Sequence, residues 1–189
     1  MENQKNSVQA EIGELQELCK RMEDMEMNES RFNPPTTEEE MLDWEHTNGI
    51  TIPESYKEWL RFSNGSEIGG FAARLLGIKQ MVVNYKPISE DLVIIGQWGG
   101  GGDSICFSKN TEKFVILHDS REEEFDSFKD IILKLIRIIK SILGEDETSR
   151  EVTAKMIAML EAKRDSQGWL PEKQAKILAM FESKKKREE

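Results

Sequence analysis

The sequence predicts a protein of the α+β class. Helical patterns open the chain and recur towards its far end, and strand patterns rich in Val, Ile and Phe lie together between them. The 189 residues are enough to bury one core, and the hydrophobic 38% of them gather in patterned blocks. We therefore expect one folded core, with helical additions at both ends.

The N-terminal segment predicts an amphipathic helix. Apolar residues recur at steps of three and four from Val8 to Met25, with acids and lysines on the other face. The run RFNPPTT ends the pattern, because its two prolines lack a backbone N–H and have a fixed φ. Such a helix could also pair with another copy of the chain.

The second helix is predicted to start with a capping box. Thr36 or Thr37 is its cap, and a glutamate three positions later completes the box. The pattern buries Met41, Leu42 and Trp44. An Asn-Gly pair then ends the helix, since glycine readily adopts the left-handed conformation of a C-terminal cap.

A third helix is predicted directly after the link Ile-Thr-Ile. Pro53 suits the first helical position, because a helix needs no N–H there. Tyr56, Trp59 and Leu60 point inward, with Phe62 as a further candidate, and a second Asn-Gly pair ends the helix. The two short helices and their link form a closely punctuated unit.

Beyond Gly70 the pattern becomes extended. FAARLLGI contains a strand, KQMVVNY favours a short helix, and DLVIIGQW, DSICFS and KFVILHD are three strands, the last two joined by a hairpin turn at SKNTEK. A long helix is expected from Phe125 to Leu143, apolar over more than half of its circumference. The linker GEDETSR and two further helices would form a hairpin over the outer face of the long helix.

The glycine run in VIIGQWGGGGDSICF could be read as a phosphate-binding loop. Such a loop needs glycines before a helix and is usually followed by a lysine and a serine or threonine. Here the glycines lie between two strand patterns, and the next charged residue is Asp103, which would repel phosphate. The run is therefore interpreted as a glycine-rich connection between strands.

Five motifs in this order resemble those of the SMI1/KNR4-like, or SUKH, superfamily. They lie in PPTTEEEMLDWEHTNGITIPESYKEWLRFSNGSEI, IIGQWGGGGDSICFS, KFVILHDSREE and SFKDIILKL. Two departures occur: Ile52 stands where leucine is usual, and Leu117-His118-Asp119 replaces the more typical Trp-Asp-His. The residues that match the family's structural motifs are Trp44, Glu45, Pro53, Tyr56, Trp59, Asn64, Gly65, Gly96, Gly102 and Asp103.

The resemblance implies a mostly antiparallel, curved sheet flanked by helices. It covers residues 32–143, so residues 1–31 form an N-terminal helical extension and residues 144–189 a C-terminal one. Bacterial members resemble immunity proteins, which bind and neutralise a cognate toxin, whereas fungal members are regulators with long disordered flanks. This chain lacks such flanks, which favours the bacterial type.

The charge of the chain indicates what kind of partner it would bind. The net charge is −10, and residues 144–189 carry ten acids and ten bases, so the whole excess lies in residues 1–143. An acidic body disfavours nucleic acid and anionic membranes and attracts basic partners, such as a nuclease-type toxin, although it can also serve solubility alone. The candidate partner-binding residues are Glu122, Glu123, Glu124, Asp119, Asp103 and Glu67, with Trp98 as a candidate exposed anchor.

Glu122, Glu123 and Glu124 also have a structural interpretation. They are expected just before a helix N-terminus, where acids favour the helix dipole whether or not a partner binds. The sequence leaves both interpretations open.

The sequence predicts no catalytic, cofactor or metal site. His118, Asp103 and Ser104 lie on adjacent predicted strands, but a catalytic triad is defined by geometry that a sequence does not contain. The only cysteines, Cys19 and Cys106, match no zinc spacing, and a cytoplasmic protein is expected.

The predicted function is therefore non-catalytic binding to a toxin domain, by a monomer or weak homodimer. Two alternatives remain: a regulatory or scaffold module that binds an endogenous protein, and a hydrolase that uses His118 and Asp103.

Overall fold

The structure is a computed structural model that describes residues 7–27, 29–70, 72–84, 89–99, 103–118, 121–145 and residue 179, with Arg121 described by its backbone alone. Four α-helices, eight strands and one 3₁₀ turn lie within these residues. Their bounds are α1 Gln9–Asp24, β1 Arg31–Phe32, α2 Glu38–Asn48, α3 Glu54–Phe62, β2 Ser66–Ile68, β3 Ala73–Leu75, the 3₁₀ turn Ile78–Gln80, β4 Val82–Val83, β5 Leu92–Trp98, β6 Asp103–Ser108, β7 Phe114–His118, β8 Arg121–Phe125 and α4 Phe128–Leu143.

The eight strands form one open sheet in which every pair is antiparallel. The order along the sheet is β1-β2-β3-β5-β6-β7-β8, and β4 pairs with β5 beside β3. A bulge interrupts the β5–β6 register between Ile94 and Gly96. The predicted α+β class is confirmed, and the glycine run does connect two antiparallel strands, since Trp98 lies opposite Asp103.

The core is built from aromatic rings that converge from the sheet and two helices. Phe128 on α4 lies 4.8 Å from Tyr56, 5.7 Å from Trp59 and 5.5 Å from Phe114, measured between ring centroids. All four side chains are fully buried. Edge-to-face and tilted contacts of this kind stabilise a core beyond the burial of area alone. The sheet contributes further rings to this core, because its register places Phe107, Phe114 and Phe125 opposite one another on neighbouring strands.

Helix α1 packs along α4 and closes the core. Its buried stripe contains Ile12, Leu15, Leu18, Cys19 and Met22. Ion pairs also join the two helices, from Glu11 to Lys129 at 2.9 Å and from Glu14 to Lys140 at 2.5 Å. The apolar stripe of α1 is thus covered within the chain, which corrects the idea that it could serve to pair two copies.

Helix α2 begins and ends as its caps predict, and α3 begins close to its predicted start. Thr37 is the N-cap of α2 and forms a capping box with Glu40. Gly49 ends the helix at φ 64°, in the left-handed region that favours glycine. Pro53 is the N-cap of α3, one position earlier than predicted. Helix α3 ends at Phe62 with Ser63 as its extended C-cap, so the second Asn-Gly pair follows the helix and does not cap it, which corrects that prediction.

Three local predictions are wrong. Leu42 is 61% exposed, because α2 turns only Met41 fully into the core. KQMVVNY forms the end of a 3₁₀ turn and then β4, since Val82 and Val83 pair with β5. The long helix α4 begins at Phe128 and not at Phe125, which ends strand β8. The predicted C-terminal hairpin falls on residues outside the described part of the chain.

Candidate functional site

Four polar or charged side chains meet at one end of the sheet, where β5, β6, β7 and β8 lie side by side. His118 Nδ1 lies 2.6 Å from Asp103 Oδ2, and His118 Nε2 lies 3.8 Å from Glu123 Oε2. Lys134 of α4 completes the group through an ion pair with Glu123. We call Asp103, His118, Glu123 and Lys134 the sheet-end cluster. All four are partly exposed, from 26% for Lys134 to 43% for Glu123.

Trp98 lies beneath this cluster. Only 7% of it is exposed, and Lys134 Nζ lies 5.3 Å from the centroid of its ring. The same ammonium is 5.5 Å from the ring of Phe125, so two aromatic faces and a carboxylate surround it. The prediction that Trp98 is an exposed interface anchor is therefore wrong, because α4 covers the tryptophan.

Glu122, Glu123 and Glu124 lie within strand β8, which corrects their placement just before a helix N-terminus. Because side chains alternate along a strand, Glu123 shares the α4 face, whereas Glu122 and Glu124 point to the opposite face. Both of the latter are exposed. The helix-dipole explanation does not apply to them, since Asp130 of α4 forms the capping box with Ser127.

Glu124 is partly neutralised within the chain. Lys113 Nζ lies 2.6 Å from Glu124 Oε1 and 3.7 Å from Asp126 Oδ1. These carboxylates raise the pKa of Lys113, with the Glu124 hydrogen bond as the main cause. Both groups are well exposed, so the pair contributes little to stability. Glu122 has no ion pair among the described residues.

Glu67, another candidate partner-binding residue, lies away from the sheet-end cluster. Glu67 is exposed on β2 and lies opposite Arg31 and Arg74 in the register. Four strands separate β2 from β8, so Glu67 belongs to another part of the sheet. Asp119 and Gly102 are outside the described residues.

The motif residues of the two short helices are tied into the fold by specific contacts. The Glu45 carboxylate accepts a hydrogen bond from the Ile52 N–H at 2.7 Å and pairs with Lys57 at 2.8 Å. Asn64 Oδ1 accepts from the Ile78 N–H at 2.7 Å. Trp44 packs partly buried against the core.

Two motif glycines are required by close backbone approach. Gly65 has φ 92°, and a Cβ there would lie 2.8 Å from the Gly77 nitrogen. At Gly96 a Cβ would lie 2.5 Å from the Arg74 carbonyl oxygen on the neighbouring strand. The geometry therefore explains the glycines of these motifs by packing, without a ligand.

The sheet-end cluster contains a carboxylate–imidazole pair, and within the described part of the chain no hydroxyl or thiol is hydrogen-bonded to His118. The described hydrogen bonds and ion pairs of His118 are with two carboxylates, Asp103 and Glu123. Ser104 follows Asp103 on β6, so its side chain points to the other face of the sheet. Among the described residues, no three His, Cys, Asp or Glu side chains are grouped so that they could hold a metal ion.

Two lysines of this region were missed by sequence reasoning. Lys134 interrupts the apolar surface of α4, and that interruption is a signal that could have been used. Lys113 sits in the hairpin before β7, where the sequence carries no comparable signal. Both lysines reduce the local excess of acids.

The fold and the site together define an α+β domain with an open antiparallel sheet and a charged sheet end. Comparison with known families assigns it more closely: the model of the SMI1 / KNR4 family (SUKH-1) matches residues 35–134. The chain belongs to this family, as the motifs indicated. A search of curated proteins found no match. None of the described helices is long and apolar enough to span a membrane.

Proposed function

We propose that this protein binds and neutralises a basic, nuclease-type toxin domain in the cytoplasm, without catalysis of its own. The SUKH family includes immunity proteins, and membership of the family is consistent with binding to a protein partner. The observation that carries the proposal is the acid excess of residues 1–143 together with the exposed glutamates of β8.

The mechanism is electrostatic attraction followed by occlusion of the toxin. A net charge of −10 produces a long-range field that speeds the approach of a basic partner. Lys113 and Lys134 neutralise part of the local charge on β8, so steering depends on the whole acidic body and not on three glutamates alone. Contacts at the surface then set how slowly the complex dissociates.

Co-expression with the product of the neighbouring gene tests the proposal. We expect a complex that survives affinity capture, with an association rate that falls at least about tenfold from low to high salt and a dissociation rate that changes far less. If the association rate did not depend on salt, the net negative charge would serve solubility and not partner binding. Absence of a complex would favour a regulatory or scaffold module that binds an endogenous protein.

The contact between His118 and Asp103 is the observation that favours hydrolysis as an alternative. The variant His118→Ala separates the two functions. If the protein acts by binding, the variant protects toxin-expressing cells as well as the wild type does. Loss of protection with unchanged folding and unchanged toxin affinity would instead support catalysis.

A further inference from the structure

Strand β8 is the long edge of the sheet. It ends the strand order and pairs only with β7 among the described strands. On an edge strand, alternate backbone N–H and C=O groups point outward and can pair with another chain. The opposite edge, β1, contains two residues, whereas β8 contains five. Within the described part of the chain, the sheet therefore offers one edge of useful length for an added strand.

The charge of β8 decides which chain can be added. Its central residues are Glu122, Glu123 and Glu124, and the first and last of these are exposed. A second copy of β8 in antiparallel pairing centred on Glu123 would place Glu122 opposite Glu124 at both ends. Like charges directly opposite each other destabilise a strand pair, so the edge disfavours its own copy. A strand that carries lysine or arginine would meet complementary charge instead.

We propose that β8 is the docking edge for a basic extended segment of the partner, which adds a strand to the sheet. The inference rests on the proposed function and names the surface and the chemistry through which the toxin is recognised. Backbone hydrogen bonds provide the general attraction in such strand addition, and side-chain pairs provide the selectivity.

The two faces of β8 divide this selectivity. Glu122 and Glu124 would contact basic side chains on one face of the added strand. On the other face, Glu123 forms an ion pair with Lys134, whose ammonium lies over the rings of Trp98 and Phe125. The glutamates also guard the free edge against aggregation, which is their role when no partner is bound.

A peptide titration of the full-length, isotope-labelled chain tests the edge directly by NMR. The probes are two peptides of equal length, one alternating lysine with threonine and the other glutamate with threonine. At low salt we expect the lysine peptide to shift the amide signals of residues 122–124 and to slow hydrogen exchange at the alternate amides that point outward. We expect it to bind at least about tenfold more tightly than the glutamate peptide.

Charge reversal supplies the variant and its matched control. Glu122→Lys combined with Glu124→Lys should reverse the preference, so that the glutamate peptide binds more tightly. The control combines Glu17→Lys with Asp43→Lys, two exposed acids on α1 and α2, and changes the net charge equally. The control should still prefer the lysine peptide at β8.

Three outcomes would overturn the inference. Signal shifts spread over α1 and α2 but absent from β8 would indicate diffuse electrostatic attraction. If the charge-reversed variant still preferred the lysine peptide, the β8 glutamates would not determine the selectivity. Concentration-dependent shifts at β8 without peptide would identify a second copy as the occupant. Failure of the proposed function has a different result, because the wild type would then capture no toxin. If the wild type and the β8 double variant captured the toxin equally well, only the docking edge would be contradicted.

Discussion

Glu45 holds the link between α2 and α3 in place. Its carboxylate accepts from the Ile52 N–H and pairs with Lys57, and the two side chains are each only 16% exposed. A partly buried carboxylate with two partners is worth more than a surface ion pair, because its removal leaves both partners unsatisfied. This explains on physical grounds why a glutamate occupies this motif position.

We expect Glu45→Ala to lower the free energy of unfolding by about 2 kcal/mol, since a charge-assisted hydrogen bond and an ion pair are both lost. Urea unfolding followed by tryptophan fluorescence measures the change. Asp43→Ala, on the exposed side of the same helix, should stay within about 0.5 kcal/mol of the wild type. Equal losses of stability in the two variants would show that the contacts of Glu45 with Ile52 and Lys57 do not stabilise the fold.

Cys106 gives stability a dependence on alkaline pH. Burial raises the pKa of its thiol to about 12 from an ordinary value of 9.0. As pH rises, the thiol of the unfolded chain therefore loses its proton first, and the folded state loses stability by about 1.4 kcal/mol per pH unit until the folded pKa is reached. Below the unfolded pKa the thiol contributes no such loss.

The free energy of unfolding, measured in steps from about pH 8.5 to about pH 10.5, tests this expectation. Cys106→Ala should be less stable overall, because it leaves a cavity. Its free energy of unfolding should fall less steeply with pH, because the variant lacks the one proton that the folded wild type retains at Cys106. Cys19 is also buried with a raised pKa and contributes equally to both proteins. Parallel pH curves would contradict the assignment.

At the scale of elements, close packing of β3 against β5 depends on Gly96. A Cβ at this position would lie 2.5 Å from the Arg74 carbonyl oxygen, 3.0 Å from Leu75 Cδ2 and 3.3 Å from Ile105 Cδ1. The first of these atoms belongs to the paired backbone and cannot move without disturbing the ladder. Glycine therefore lets three strands approach at the bulge of β5.

We expect Gly96→Ala to destabilise the protein by about 3 kcal/mol, at the upper end of the cost of overpacking. Gly13 in α1 is a matched control, because a Cβ there meets nothing within 4 Å. Gly13→Ala should raise stability by up to about 1 kcal/mol through helix propensity. Thermal unfolding monitored by circular dichroism compares the two, and a shift of the same sign for both would refute the packing argument.

Elements with local signals were predictable from the sequence, and those formed by distant contacts were not. Thr37 and Gly49 define α2 through their own chemistry, and β5, β6 and β7 carry β-branched and aromatic residues. Strand β8 contains three glutamates, which disfavour strands, and forms only because β7 lies beside it. Its sequence therefore resembled the approach to a helix.

The site was predictable only in part for the same reason. Asp103 and His118 were recognised as neighbours because adjacent strands bring them together. The burial of Trp98 depends on Lys134, which lies on a helix 36 positions later in the chain. Neither strand periodicity nor the glycine run contains that information, so the sequence suggested an exposed tryptophan.

At the scale of the whole molecule, α1 is part of the same core as the sheet. Leu15 and Met22 are fully buried, and they belong to one cluster with the residues of α4 and β5. Because a single core unfolds cooperatively, damage to α1 is expected to lower the stability of the entire molecule.

We expect Leu15→Ala to lower the free energy of unfolding by about 3 kcal/mol, as a buried leucine leaves a cavity. Gln16→Ala, exposed on the same helix, should change it by less than about 0.5 kcal/mol. Fluorescence from the core and circular dichroism from the helices should give one coincident transition in both variants. Early loss of helix signal with an unchanged core transition would instead identify α1 as a detachable extension.

The pairing of α1 with α4 also affects the order in which the chain folds during synthesis. Lys129 bonds to the Ser7 carbonyl across a sequence separation of 122 residues, so α1 leaves the ribosome long before its docking site exists. Until α4 follows, the apolar stripe of α1 is open to chaperones and to other nascent chains. Helix α1 can therefore dock only after α4 has been synthesised, and slow synthesis would prolong the exposure of its apolar stripe.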